Sequence, residues 1–127
     1  MYNIHIDKYR YERRFTIMLI KYDEMASIFK ALSDPTRLKI VEMISSVEMC
    51  ACEILEKVDI KQSTLSYHMK ILTDIKLVDA TPKGSWVWYK ISNDSLELIE
   101  QFLNMVTKNS NNTIKGNKEQ TRCAIND

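Results

Sequence analysis

A chain of 127 residues with 45% apolar content is long enough to bury one core of ordinary size and too short for two domains with linkers. A net charge of +1 supplies no global basic field, so any contact with nucleic acid must come from a local cluster of cations. Three cysteines, two of them separated by a single residue, exclude a disulfide framework and read as free thiols of a reducing compartment. The longest apolar run near the start, Phe15 to Ile20, is too short for a signal-peptide core or a membrane span, so the expected location is cytoplasmic and no membrane partner is expected.

No internal repeat is visible. Residues 1–22 are aromatic and basic without a helical period (Tyr9, Arg10, Tyr11, Arg13, Arg14, Phe15) and read as an extension outside the fold. Met18 is an alternative start that the intact mass of the native protein would reveal. A single domain is expected over residues 23–108, and the polar, Asn- and Lys-rich residues 109–127 read as a mobile tail. A first helix is predicted from about Asp23 to Leu32, with Met25, Ile28, Phe29 and Leu32 on one face. In Ser33-Asp34-Pro35 the aspartate suits an N-cap and the proline a first helical position. The second helix carries Leu38, Val41, Ile44 and Val47 at core spacing. A short third helix is predicted from about Cys50 to Val58, burying Ile54, Leu55 and Val58, with a tight turn over residues 59–61. A fourth spans about Gln62 to Asp74. Leu77 to Thr81 reads as a strand, Pro82 to Ser85 as a turn and Trp86 to Ile91 as a second strand, in which Val87, Tyr89 and Ile91 alternate with Trp86, Trp88 and Lys90. A last helix runs from about Asn93 to Lys108. The fold class is mainly α with a small β hairpin (α+β), and the element order is that of a winged helix-turn-helix.

The fourth helix carries the functional signal. At about 100° per residue, Leu65, His68, Met69 and Leu72 fall in one sector and Ser63, Ser66, Tyr67 and Lys70 in the opposite one. The outward face offers hydroxyls, a phenol and an ammonium, with Gln62 at its leading edge, and no carboxylate before Asp74. Such a face donates to phosphates and reads base edges in a major groove. The bland alternative is a solvated helix face. Lys83 and Gly84 at the hairpin tip, with Lys90 nearby, favour a wing against phosphates. The candidate DNA contacts are therefore Gln62, Ser63, Thr64, Ser66, Tyr67, Lys70, Lys83 and Gly84. Trp86 and Trp88 read as packing residues in preference to a stacking surface. His68, at the apolar boundary, reads as structural.

Cys50-Ala51-Cys52 opens the third helix, where the macrodipole favours thiolate and Glu48 and Glu53 oppose it. In a regular helix, residues two apart point about 200° away from each other. Both sulfurs then chelate one soft ion only if the first turn distorts, which would loosen the recognition helix behind it and couple ligand capture to DNA affinity. The bland alternative is a buried, inert pair.

Four stretches now combine: Phe29 to Ile40 (FKALSDPTRLKI), Glu48 to Leu55 (EMCACEIL), Gln62 to Leu72 (QSTLSYHMKIL) and Gly84 to Tyr89 (GSWVWY). Together they resemble the ArsR/SmtB family of metal-sensing repressors, and within it the arsenical-resistance operon repressors, over roughly residues 24–106. The resemblance implies a homodimer built on the first and last helices, using Ile28, Leu32, Leu96, Ile99, Leu103 and Val106. It implies binding to an operator ahead of a resistance operon, and release when As(III) or Sb(III) binds Cys50 and Cys52. The apolar seam Leu96, Ile99, Leu103, Val106 agrees independently, because a lone small domain would leave it exposed. Some relatives carry a third cysteine where this chain has Leu55. Cys123 is a candidate third ligand, although a bystander is the stronger expectation for a tail cysteine. Lys61 stands where many relatives have a capping serine, and Tyr67 where a histidine is common.

Other readings rank lower. Cadmium- and lead-sensing relatives add cysteines from an N-terminal arm, which this chain lacks, and zinc sensors use last-helix histidines, where only Asp94, Glu97 and Glu100 stand here. A redox switch at Cys50 and Cys52 ranks below metalloid capture because thiols one residue apart form strained disulfides. Catalysis is not expected: with two glycines there is no phosphate-cradling loop, His5 lies in the arm and His68 faces the core. A winged helix that binds protein and not DNA remains as the last alternative.

Overall fold

The computed structural model describes residues 21–115. Residues 1–20 of the expected extension, His5 among them, and residues 116–127 of the expected tail, with Cys123, lie outside the described residues, while residues 21 and 22 belong to the first helix. Helix α1 is helical from the first described residue, 21, to residue 32, and so already includes the two residues before its expected start. Met25, Ile28 and Ala31 face inward. Phe29, expected on that face, is 39% exposed and meets Phe102 edge-on, with ring centroids 6.5 Å apart.

Helix α2 (Pro35–Ser46) starts as its sequence dictates: Pro35 occupies a position that needs no N–H, and the Asp34 carboxylate accepts the Arg37 N–H at 3.0 Å. That backbone hydrogen bond, aided by the Arg37 charge, holds the Asp34 carboxyl below the ordinary carboxylate range against a smaller opposing effect of burial. A depressed carboxyl stabilises the fold fully above its unfolded pKa, and the contribution disappears as pH falls through its folded value. Acid titration of unfolding is therefore expected to show less loss of stability in Asp34→Asn than in the wild type.

The inward residues of α2 are Ile40 and Ile44, one turn apart. Leu38 and Val47, expected in the core, are 52% and 55% exposed. Leu38 stands two residues before Ile40 and so points to the other side, and Val47 is already the extended residue that ends the helix.

The next element was not foreseen. Met49–Cys50 is a strand, β1, and helix α3 begins only after it, over Ala51–Lys57. Helix α4 (Gln62–Asp74) matches expectation and buries Leu65, His68, Met69 and Leu72. It ends in a Schellman turn: the Leu77 N–H donates to the Leu72 carbonyl at 3.1 Å and the Lys76 N–H to that of Thr73 at 3.0 Å. Lys76 takes φ 60°, a left-handed conformation that favours glycine. Lys76→Gly is expected to raise stability by about 0.5–1 kcal/mol, read as a higher denaturant midpoint.

Strands β2 (Val78–Lys83) and β3 (Trp86–Ile91) form the hairpin. Pro82 and Lys83, expected in the turn, pair with Val87 and Trp86, leaving Gly84 (φ 64°) and Ser85 to close it. Leu77, expected to open the strand, is instead a fully buried turn residue. The sheet has three strands in the order β1-β3-β2, antiparallel throughout, with Met49 opposite Tyr89 and Cys50 opposite Trp88. Helix α5 (Asn93–Lys115) runs seven residues beyond the expected end, so residues 109–115 are helical and not tail. The Ser95 hydroxyl donates to the Lys76 carbonyl at 3.0 Å, fixing the start of α5 on the turn after α4.

The deepest core residues are Ile28, Ile40, Ile44, Ile54, Leu65, Leu72, Leu77 and Val78, drawn from α1–α4 and the start of the hairpin. No helix among the described residues is long and apolar enough to cross a membrane.

Candidate nucleic-acid interface and thiol site

Helices α3 and α4 with their short connection form the helix-turn-helix, and β2–β3 the wing. On α4, Gln62, Ser63, Ser66, Tyr67 and Lys70 are exposed, Tyr67 to 62%, while Thr64 is half-buried. Lys61 supplies no side-chain cap to the helix. Lys70 pairs with Asp74 at 3.0 Å in full solvent, a contact worth little that phosphate can displace.

The inner side of α4 is pinned by a residue that sequence reasoning passed over. Arg37 approaches the buried His68 with Nη1 3.1 Å from Nδ1, and its Nε donates to the Ala31 carbonyl. A guanidinium only donates, so Nδ1 accepts and the imidazole proton sits on Nε2. Arg37 thereby ties the end of α1 to α4, and His68 has the structural role expected of it. The available signal was an arginine one turn after the Asp34 cap, on the side facing a buried histidine.

At the wing, Lys83, Gly84 and Lys90 are exposed as expected. Trp86, expected to pack, is 57% exposed: it flanks the turn, where no second layer covers the sheet. Trp88 is half-buried, with the Lys83 ammonium 5.3 Å from its ring centroid. Lys83 also pairs with Glu48 at 3.1 Å. Glu48 and Lys83 are 35 residues apart, so no local pattern announced the contact.

The thiol pair differs most from expectation. Cys50 is not in the helix; it is the extended residue (φ −80°, ψ 162°) that caps it. Its N–H donates to the Glu53 carboxylate at 3.0 Å. The sulfurs of Cys50 and Cys52 therefore do not diverge. They are joined as a disulfide, with Cα atoms 5.5 Å apart. The expectation that α3 must unwind before both sulfurs reach one ion is overturned. Cys50 is buried and Cys52 half-buried. Among the described residues no group of three or more His, Cys, Asp or Glu side chains is placed to hold a metal ion. Once reduced, the donor set is two soft sulfurs at one spot, which suits a thiophilic ion and not a hard cation.

Of the residues expected at a dimer seam, Ile28 and Ile99 are 1% and 7% exposed and belong to the core of the chain. They face inward because α1 and α5 pack on the same core, so neither presents itself to a second chain. Leu32 and Leu96 are half-buried. Leu103, Met105 and Val106 remain close to half exposed. An apolar cleft of about 210 Å³ lies between α1 and α5, lined by Tyr22, Met25, Leu98, Phe102 and Met105 among others.

A polar recognition face on the second helix of a helix-turn-helix, flanked by a basic β wing, defines a winged helix-turn-helix DNA-binding regulator. Residues 34–80 match the family described as "Bacterial regulatory protein, arsR family". An arsenical resistance operon repressor of Staphylococcus xylosus is 36% identical over 104 residues, covering 82% of this chain and all of its own. An ArsR-like transcriptional regulator from Rhodococcus superposes with a TM-score of 0.64 at 22% identity, over 74% of this chain and 89% of that one. A Mycobacterium bovis protein described as a homodimeric winged helix-turn-helix DNA-binding domain gives 0.57 at 24% identity, over 68% and 82%. The chain belongs to the ArsR family. It is a transcriptional repressor of that family, not an enzyme.

Proposed function

We propose that this repressor binds, as a homodimer, the operator of an arsenic-resistance operon in the cytoplasm and leaves it when As(III) or Sb(III) is captured by Cys50 and Cys52. The observation that carries this reading is the meeting of both sulfurs where β1 passes into the first helix of the helix-turn-helix. The name of the Staphylococcus xylosus relative supports the choice of ligand. With the pair reduced, As(OH)₃ exchanges two hydroxyls for the two sulfurs, and each hydroxyl leaves as water with the proton of the thiol that replaces it. A third ligand comes from outside the described residues, as a retained hydroxide or a small cellular thiol, with Cys123 a bystander.

Gln62, Ser63, Thr64, Ser66, Tyr67 and Lys70 enter the major groove, and Lys83 and Gly84 meet backbone phosphates. The half-exposed Leu103 and Val106, with the half-buried Leu32 and Leu96, supply the dimer seam. A two-fold dimer then meets half-sites about one DNA turn apart.

The adjoining sulfurs also favour a second reading, in which oxidation of the pair is the signal. Operator binding measured under reductant with added arsenite, and separately with peroxide and no arsenite, discriminates them. Release by arsenite alone supports the metalloid reading. Release by peroxide alone supports the redox switch. Binding without a steep salt dependence would contradict operator recognition itself.

A further inference from the structure

We propose that Trp88 and Glu48 are positioning residues that carry ligand capture at Cys50 to Lys83 of the wing, so that the wing, and not only the recognition helix, is displaced from DNA. The inference rests on the metalloid reading of the thiol pair and concerns how that site regulates binding.

Four residues form a closed circuit. Cys50 stands opposite Trp88 in the β1–β3 pairing. Cross-strand partners project from the same face of a sheet, with Cβ atoms roughly 4.5–5.5 Å apart. Trp88 thus lies against the thiol site on one side and Thr81 of β2 on the other. The Lys83 ammonium sits 5.3 Å from the Trp88 ring centroid and 3.1 Å from the Glu48 carboxylate. Glu48 stands two residues before Cys50, which closes the circuit at the thiol site.

The strengths of these links decide what moves. β1 has only two residues, both paired with β3. β2 and β3 pair over six residues each and behave as one body. A displacement of Cys50 therefore moves the hairpin as a unit, from a pairing at the middle of β3 and not from its base. Trp88 stands only two residues from Trp86, which pairs with Lys83 beside the hairpin tip, so a shift at Trp88 is passed directly to the tip. Lys83 and Trp86 are at that tip. In the ligand-free protein, Glu48 and Trp88 hold the Lys83 ammonium in place. Capture at Cys50 shifts both of these supports together.

The test uses the full chain under reducing conditions. Operator dissociation constants are measured with and without arsenite for wild type, Trp88→Leu, Trp88→Phe and Glu48→Gln, and arsenite uptake is measured separately. Wild type is expected to weaken by about 10-fold or more on arsenite addition, within the usual range of couplings. Trp88→Leu and Glu48→Gln are expected to take up arsenite normally and to weaken less than about 3-fold, with Trp88→Phe restoring most of the response. In a Trp86→Phe background, where Trp88 is the sole tryptophan, arsenite is expected to change the emission of operator-free protein. Should Trp88→Leu not fold, Glu48→Gln, altered at a partly exposed side chain, decides the matter with the emission measurement. Wild-type release in Glu48→Gln, or unchanged Trp88 emission, overturns the wing route and leaves the sensor reading standing. A wild type that takes up arsenite without releasing the operator, or takes up none, overturns the sensor reading and this inference with it.

Discussion

Cys52→Ser is expected to bind the operator as wild type does and to lose its release by arsenite altogether. Ligand-induced couplings are typically about 1–3 kcal/mol, or about 5- to 150-fold in affinity, and the variant should bring that factor to one. Cys52 is the better of the two cysteines to replace. It is half-buried in the first turn of α3, whereas Cys50 is 4% exposed and paired within the sheet opposite Trp88. Cys50 also caps α3 and its N–H donates to Glu53, so a change there would disturb the helix start as well as the thiol site. Serine at Cys52 keeps the shape of the helix start, and Glu53 still accepts the Cys50 N–H. Cys123→Ser should respond normally. Loss of its response would make that cysteine the third ligand.

The second large effect is expected at the recognition face. Ser66→Glu should weaken operator binding by about 100-fold or more, since one good base contact is worth roughly 1–3 kcal/mol and each 1.4 kcal/mol is tenfold. The added carboxylate also faces the phosphates in a low-dielectric interface. Ser66 is exposed, so the stability of the fold should stay within about 0.5 kcal/mol of wild type. A loss of operator affinity with unchanged stability, measured by fluorescence anisotropy beside thermal unfolding, places α4 in the groove. Equal affinity would remove it.

Where two periodicities contrasted sharply, the chain was legible. α4 reads correctly from Gln62 to Asp74 because its apolar and hydroxyl-bearing faces separate cleanly at 3.6-residue spacing. β3 reads correctly because Trp86 to Ile91 is rich in aromatic and β-branched residues. β1 did not, since two residues cannot display an alternation, and the helix-favouring Ala51-Cys52-Glu53 that follows masked it. That short strand changed the chemistry of the site: as an extended cap, Cys50 turns its sulfur toward Cys52. The far end of α5 was missed for a related reason. Residues 109–113 are exposed all round and carry no apolar stripe. The Glu48–Lys83 and Arg37–His68 contacts join segments remote in sequence, and only the fold brings them together.

The central claim is that a thiophilic ion on Cys50 and Cys52 lowers affinity for DNA. Its most direct measurement is the operator dissociation constant of the reduced wild-type protein, titrated at fixed salt with and without stoichiometric arsenite. The account predicts a rise of roughly 10-fold or more when arsenite is bound. An arsenite-loaded protein that holds the operator as tightly as the free one would contradict it.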